Sequence, residues 1–162
     1  MTAIDQRAFR DTVGRFGTGV VIVTGREGTE PFGFVAQSFV SVSLDPPLVS
    51  VCPAKSSTSW PRIRASGHFC INVLGAEQRP LCDAFARSGG DKYEGVSWAP
   101  APSGAPRLDG VLAWVDCELE VEHDAGDHTI AIGRVRALEA SSNGVDPLLF
   151  LVGTYGRFAP ID

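Results

Sequence analysis

The stretch LAWVDCELEVEHDAGDHTIAIGRVRAL, residues 112–138, decides the fold class. It contains two strand-like segments, LAWVDCELEVEH (112–123) and HTIAIGRVRAL (128–138), rich in β-branched and apolar residues. Between them stand Asp124, Ala125, Gly126 and Asp127, a four-residue turn, so the stretch predicts an antiparallel hairpin. Glu118, Glu120 and Glu122 alternate along the first segment and predict one solvated face. His128 opens the second segment, a place where a histidine is more often a surface residue than a catalyst.

Working outward, the same strand character recurs. GTGVVIVTG supplies a buried strand over residues 19–25, ended by glycine. FGFVAQSFVSVSL (32–44) alternates, with Val40, Val42 and Leu44 on one side and Phe39, Ser41 and Ser43 on the other. PLVSVC (47–52), HFCINVL (68–74) and PLLFLVGTY (147–155) complete the set, each bounded by Gly, Pro, Asp or Ser. Three helices are expected. Ile4, Phe9, Val13 and Phe16 lie near helical spacing and predict an amphipathic helix over 4–16. Two short ones fall near 59–66 and 76–87, their starts fixed by Pro61 and Pro80. About seven strands joined by short turns predict a mainly β, closed or nearly closed barrel. The irregular, Gly- and Pro-rich stretch 87–110 is long enough to be functional or mobile.

At 162 residues the chain predicts a single domain, residues 1–162, with 44% hydrophobic and 20% charged residues. A net charge of −5 argues against nucleic acid as a partner, because phosphate backbones demand a basic face. No apolar run approaches the roughly 20 residues of a membrane span, and MTAIDQRAFRD has no signal-peptide core. The expected location is cytoplasmic, with no membrane partner. Cys52, Cys70, Cys82 and Cys117 are scattered without ligand spacing, so no metal site is expected.

Two stretches carry chemistry. QSFVSVS (37–43) puts hydroxyls and an amide on a strand bound for the core; backbone groups or a polar aromatic ligand are equally good partners. AKSSTSW (54–60) joins Lys55 to four hydroxyl residues at a helix start, where a phosphate can be held. The plainer alternative is a helix cap beside a solvated lysine. No Walker loop, G-x-G-x-x-G fingerprint, hydrolase elbow or H-E-x-x-H is present, since GRFGTG has the wrong spacing.

RFGTGVVIVTG, GFVAQSFVSVSLDPPLVSVCPAKSSTSW, FCINVL, LAWVDCELE, GDHTIAIGRV and PLLFLVGTYGRF together, over about residues 6–158, resemble the short-chain flavin reductases. These are the reductase components of two-component flavin-dependent monooxygenases. GFVAQSF with CPAKSSTSW looks closest to the reductases of phenolic and steroid-ring hydroxylases. The resemblance implies an FMN-binding, Greek-key split β-barrel with a few short helices, forming a homodimer with FMN or FAD at the subunit edge. It implies hydride transfer from NADH or NADPH to that flavin, which then diffuses to a partner monooxygenase.

Carried over by motif, Gly33, Phe34, Gln37 and Ser38 would border the isoalloxazine, with Ser43 nearby. Cys52, Pro53 and Ala54 would follow the ribityl chain, and Lys55, Ser56, Ser57, Thr58 and Ser59 would meet the phosphate. Phe85 and Lys92 belong to the segment that covers the flavin, while His128 and Tyr155 would face the nicotinamide. Val35-Ala36-Gln37-Ser38 stands where many members have Thr-Ala-Asn-Ser, which leaves FMN or FAD open. Leu151 replaces a frequent aromatic residue. Such chemistry needs two planar rings stacked at about 3–3.5 Å and little acid-base help, in keeping with the missing nucleophile and metal motifs. A non-catalytic flavin-binding electron carrier and a split-barrel oxidase are the alternatives on the same fold.

Overall fold

A computed structural model of the chain describes residues 4–142 and 144–161; residues 1–3, 143 and 162 of the expected 1–162 domain lie outside them. Helix α1 (Gln6–Val13) precedes strands β1 (Thr18–Gly19), β2 (Val21–Glu27), β3 (Glu30–Ala36), β4 (Val40–Leu44) and β5 (Pro47–Val51). Helix α2 (Trp60–Ala65), strand β6 (His68–Val73), a 3-10 turn (Ala76–Gln78) and helix α3 (Arg79–Ala86) follow. Strands β7 (Trp98–Pro100), β8 (Pro106–Leu108), β9 (Ala113–Ala125), β10 (His128–Ala140), β11 (Leu149–Leu151) and β12 (Thr154–Gly156) complete the described chain. It is mainly β with few helices.

Seven strands form one antiparallel sheet in the order β3-β2-β6-β9-β10-β5-β4. Its two edge strands, β3 and β4, are consecutive in the chain, joined only by residues 37–39. In a flat sheet six strand spacings would separate them by about 29 Å. The connection spans at most about 14 Å. The sheet therefore curls until its edges approach one another at Gln37 and Ser38.

Strand β2 is buried on both faces, which is why its sequence reads as a continuous apolar run. Val21 and Val23 join Val51, Phe69, Ile71 and Ala131, with Trp60 and Ile63 of α2 in the same cluster. Val20 and Ile22 pack instead with Leu74, Cys82 and Phe85, and with Leu108 from β8. Two buried polar residues tie the outer segments to the sheet. Asn72 Nδ2 donates to Ile22 O (3.2 Å) and Thr24 Oγ1 (3.0 Å), while its Oδ1 accepts from Leu108 N (2.8 Å). Asp116 accepts from Ser103 N (2.9 Å) and Ser103 Oγ (2.6 Å). The stretch 87–110 is thus not a wholly irregular loop: it contains the β7–β8 ribbon, held from beneath by Asn72 and Asp116.

Other expectations change in detail. The strand foreseen over 32–44 breaks at 37–39 into β3 and β4, and β4 is an edge strand with Val40, Val42 and Leu44 all exposed. The segment 147–155 is a hairpin, β11–β12, whose first strand pairs with β1. The turn before His128 is two residues, not four: Ala125 pairs with His128, and Gly126 takes φ 71° at the first central position, as a type II′ turn requires. The apolar residues of α1, Phe9 and Val13, are exposed. The three glutamates of β9 are paired rather than merely solvated: Glu118 with Arg136, Glu120 with Arg134, and Glu122 with Arg64 and the Trp60 indole.

Candidate functional site

A trough follows the corner where the sheet edges meet. Its first cavity, 290 Å³, is lined by residues 34–38 with Cys52 and His128. Phe34 and Val35 also wall a second cavity of 290 Å³, closed by residues 56–59, residues 85–88 and Lys92. Thr58, Ser59 and Lys92 are shared in turn with a third cavity of 700 Å³. Gly33, Phe34, Gln37, Ser38, Cys52, Ser56, Ser57, Thr58, Ser59, Phe85, Lys92 and His128 therefore line three cavities that share walls, while Pro53 and Ala54 line none of them.

Backbone links shape the first cavity. Ser38 Oγ accepts from Cys52 N at 2.8 Å, tying the β3–β4 corner to the end of β5. A hydroxyl that accepts one bond still has a proton to donate, so Ser38 can serve both partners foreseen for it. Thr18 Oγ1 donates to Gln37 Oε1 at 3.2 Å. Ser43 follows a bulge on β4 and lines none of the three cavities.

The hairpin tip is docked onto the loop after β5. Thr129 N donates to Pro53 O (3.0 Å), Lys55 N donates to Asp127 O (2.9 Å), and Ala54 bridges to His128. This brings the loop and the histidine to one wall. Asp127 Oδ1 sits 2.7 Å from His128 Nδ1. The hydrogen bond and charge of His128 hold the Asp127 carboxyl below the usual carboxylate range. Asp127 is both the second residue of the turn, as expected, and the partner of His128, for which the Asp-His adjacency at a turn is the signal in the sequence.

The positive charge of the trough comes from an unexpected place. Lys55, the expected phosphate ligand, lies outside the cavity lining, and its ammonium is ion-paired with Asp124. Lys92 Nζ instead donates to two backbone carbonyls, Phe85 O (3.0 Å) and Gly33 O (3.2 Å). Burial lowers its pKa from the ordinary lysine value. With three N–H donors and two used, it keeps one for a ligand. Arg87, which the motif reading missed, lines the same cavity. The serines divide their tasks: Ser57 Oγ accepts from Trp60 N (3.1 Å), the first residue of α2, and buried Ser59, the N-cap position, turns its Oγ to donate to Gly33 O (3.0 Å). Gly33 matters for space, since a Cβ there would lie 2.6 Å from Phe85 Cε1.

Tyr155 lies away from these walls. Its ring packs on Phe150, and its hydroxyl meets Cys82 Sγ at 3.4 Å, which with partial burial pushes its pKa up to about 12. All four cysteines are unpaired in disulfides, and burial pushes the thiols of Cys70, Cys82 and Cys117 up. Among the described residues no three His, Cys, Asp or Glu side chains are grouped to hold a metal, and no helix is long and apolar enough to cross a membrane.

Comparison with known proteins bears on this geometry. Residues 13–159 match the family model for the flavin reductase like domain. The chain belongs to that family. It is 48% identical over 158 residues to the reductase subunit of a flavin-dependent monooxygenase from Rhodococcus jostii, covering 98% of this chain and 80% of that one. It is 43% identical over 155 residues to an FMN reductase (NADH) of Agrobacterium fabrum, covering 96% and 87%. Among solved structures, nitrilotriacetate monooxygenase component B from Mycobacterium thermoresistibile superposes with a TM-score of 0.93 at 44% identity, covering 96% of this chain and 88% of that one.

Proposed function

We propose that this flavin reductase family member is an NAD(P)H-dependent enzyme that reduces FMN or FAD and supplies the reduced flavin to a partner monooxygenase. One observation carries the reading: Phe34 and Val35 are the common wall of two cavities, one with His128 and the β3–β4 corner, the other with a hydroxyl cluster and Lys92, whose ammonium donates to two backbone carbonyls. That end suits a phosphate; the other suits a polar ring system.

A bound flavin would supply the acceptor for hydride from the nicotinamide. The protein's part is to hold and to orient. Phe34, Gln37 and Ser38 offer an aromatic edge, an amide and a hydroxyl to the ring. Cys52 would meet the ribityl chain, and Ser56, Ser57 and Thr58, with Lys92 and Arg87 in the same cavity, would meet the phosphate. His128, fixed through Nδ1 by Asp127, has Nε2 left for a nicotinamide carboxamide.

The curled sheet with approaching edges supports a split β-barrel of Greek-key type, formed by a single domain. A homodimer is supported by the exposed apolar edge strand β4 and by the exposed apolar face of α1. Tyr155, outside the trough of its own protomer, would then reach a nicotinamide from a second copy. Four cysteines without a disulfide suit a cytoplasmic, reducing compartment. Steady consumption of NADH or NADPH that depends on added FMN or FAD tests the activity. Flavin binding without turnover would instead leave an electron carrier.

A further inference from the structure

A β-bulge in the long hairpin re-aims one glutamate. Val121 pairs with Ile132 and Leu119 with Gly133, so Glu120 is an extra residue in β9. Before the bulge, Cys117 and Leu119 face the core while Glu118 reaches out to Arg136. One extra residue reverses the alternation of a strand, and bulges of this kind turn a side chain to a new face. Beyond it Val121 is exposed and Glu122 points inward, with its side chain only 18% exposed.

There Glu122 grips α2 near both of its ends. Oε1 accepts from the Trp60 indole Nε1 at 2.9 Å, and Oε2 lies 3.2 Å from Arg64 Nη2. Helix α2 has only six residues, and Ser59 at its N-cap makes no side-chain capping bond. So short a helix is held by tertiary contacts rather than by its own propensity. Ile63 seats it on β2 opposite Gly25, where an added Cβ would lie 2.5 Å from Ile63 Cγ2. Apolar burial has no preferred direction, whereas a hydrogen bond has one. The two bonds of Glu122 therefore set how the helix is turned.

Trp60 carries that setting to two cavities. Its backbone N donates to Ser57 Oγ at 3.1 Å, inside the hydroxyl cluster proposed for the phosphate. Its buried ring meets Phe34 edge to face, centroids 6.1 Å apart at 81°, and Phe34 is the wall common to the cavities proposed for ring and phosphate. We infer that Glu122 is a positioning residue: through the Trp60 indole it holds the hydroxyl cluster and Phe34 at the spacing that flavin phosphate and ring require. This role rests on the flavin reductase reading and adds a residue that lines none of the three cavities. Because β9 runs on to the tip that carries His128, one carboxylate ties the two ends of the site together.

Fluorescence titration of the full-length protein with FMN and with riboflavin tests this role, because only FMN carries the phosphate. The wild type should bind FMN about tenfold or more tighter than riboflavin. Glu122→Ala should weaken FMN about tenfold and riboflavin less, so that the ratio between them falls. Glu122→Gln, whose carbonyl still accepts from the indole, should recover FMN affinity to within about threefold of wild type. Trp60→Phe keeps a ring against Phe34 but has no N–H to donate; it should lose what Glu122→Ala loses, and the double variant no more. Trp60→Phe carries the test alone if Glu122→Ala does not fold. A wild-type FMN-to-riboflavin ratio in either variant, whatever the loss of stability, makes Glu122 a structural pin and overturns the inference. A Glu122→Gln variant as weak as the alanine one overturns it too. Both results spare the flavin reductase reading, whereas a wild-type protein that binds no FMN overturns both.

Discussion

Asp127 holds His128 by its Nδ1 at 2.7 Å, on a hairpin tip whose backbone is itself bonded to Pro53 and Lys55. A carboxylate can only accept, so His128 donates through Nδ1, and Nε2 is the atom proposed to meet the nicotinamide. His128→Ala should raise the KM for NAD(P)H about tenfold, lower kcat less, and leave flavin affinity nearly intact. Asp127→Ala should move KM the same way by a smaller factor, and Asp127→Asn, which can still accept the bond, should restore most of it. The link should persist to acid pH, because the Asp127 pKa is lowered; it is lost only as pH falls through that lowered value. Wild-type kinetics in His128→Ala would make the residue simply the end of a turn.

Lys92 and Lys55 should behave differently. Lys92→Gln should weaken FMN at least tenfold, about 1.4 kcal/mol, and riboflavin, which lacks the phosphate, hardly at all. Lys55→Ala should change FMN affinity by less than about threefold, since Asp124 already occupies that ammonium. The sign with pH is set by desolvation. A lysine whose pKa is lowered loses its charge earlier than an ordinary lysine as pH rises, so FMN affinity should fall with rising pH, and at a lower pH than an ordinary lysine would give. Lys92→Gln should remove that pH step. Equal losses from both lysines would contradict the assignment.

Gly33→Ala tests the packing of the wall. The new methyl group meets Phe85 at 2.6 Å, so the ring or α3 must shift. Overpacking of this kind costs about 1–3 kcal/mol, read as a lower midpoint in urea unfolding. Phe85 O also accepts from Lys92, so FMN affinity should fall with stability. A variant as stable as wild type would show that the wall yields freely.

Asn72→Ala addresses the ribbon over the sheet. It strands the buried N–H of Leu108 and removes the amide bonded to Ile22 and Thr24. Leaving one or two buried groups unsatisfied costs about 2–4 kcal/mol in all, measurable as a lower Tm. Unchanged stability would mean that water replaces the amide.

Much of the fold was legible because its strands announce themselves locally. The 112–138 hairpin needed only β-branched residues around a Gly-Asp turn, and β2 betrayed its double burial by an unbroken apolar run. The break between β3 and β4 was hidden, because Gln37-Ser38-Phe39 keeps the alternation while the chain changes edges of the sheet. Position along the chain marked Lys55 for the phosphate, but only tertiary structure reveals that Asp124 lies beside it and that Lys92 returns from a distant loop. The same limit applies to Arg87, an ordinary surface arginine until the end of α3 meets residues 56–59 around one cavity.

The last prediction concerns β4. Natural edge strands usually carry charge or a bulge to block further pairing. This one reads Val-Ser-Val-Ser-Leu, has its bulge between Ser41 and Ser43, and exposes Val40, Val42 and Leu44, the last at 91%. Fully burying one such side chain contributes about 1.5–3 kcal/mol, so three of them favour association strongly. A second copy with a self-complementary surface is the expected cover. Light scattering should give twice the monomer mass at micromolar concentration. Val42→Lys combined with Leu44→Lys should reduce this to the monomer and, on the role proposed for Tyr155, depress NAD(P)H oxidation. A wild-type protein at monomer mass with full activity would remove both the dimer and the role given to Tyr155.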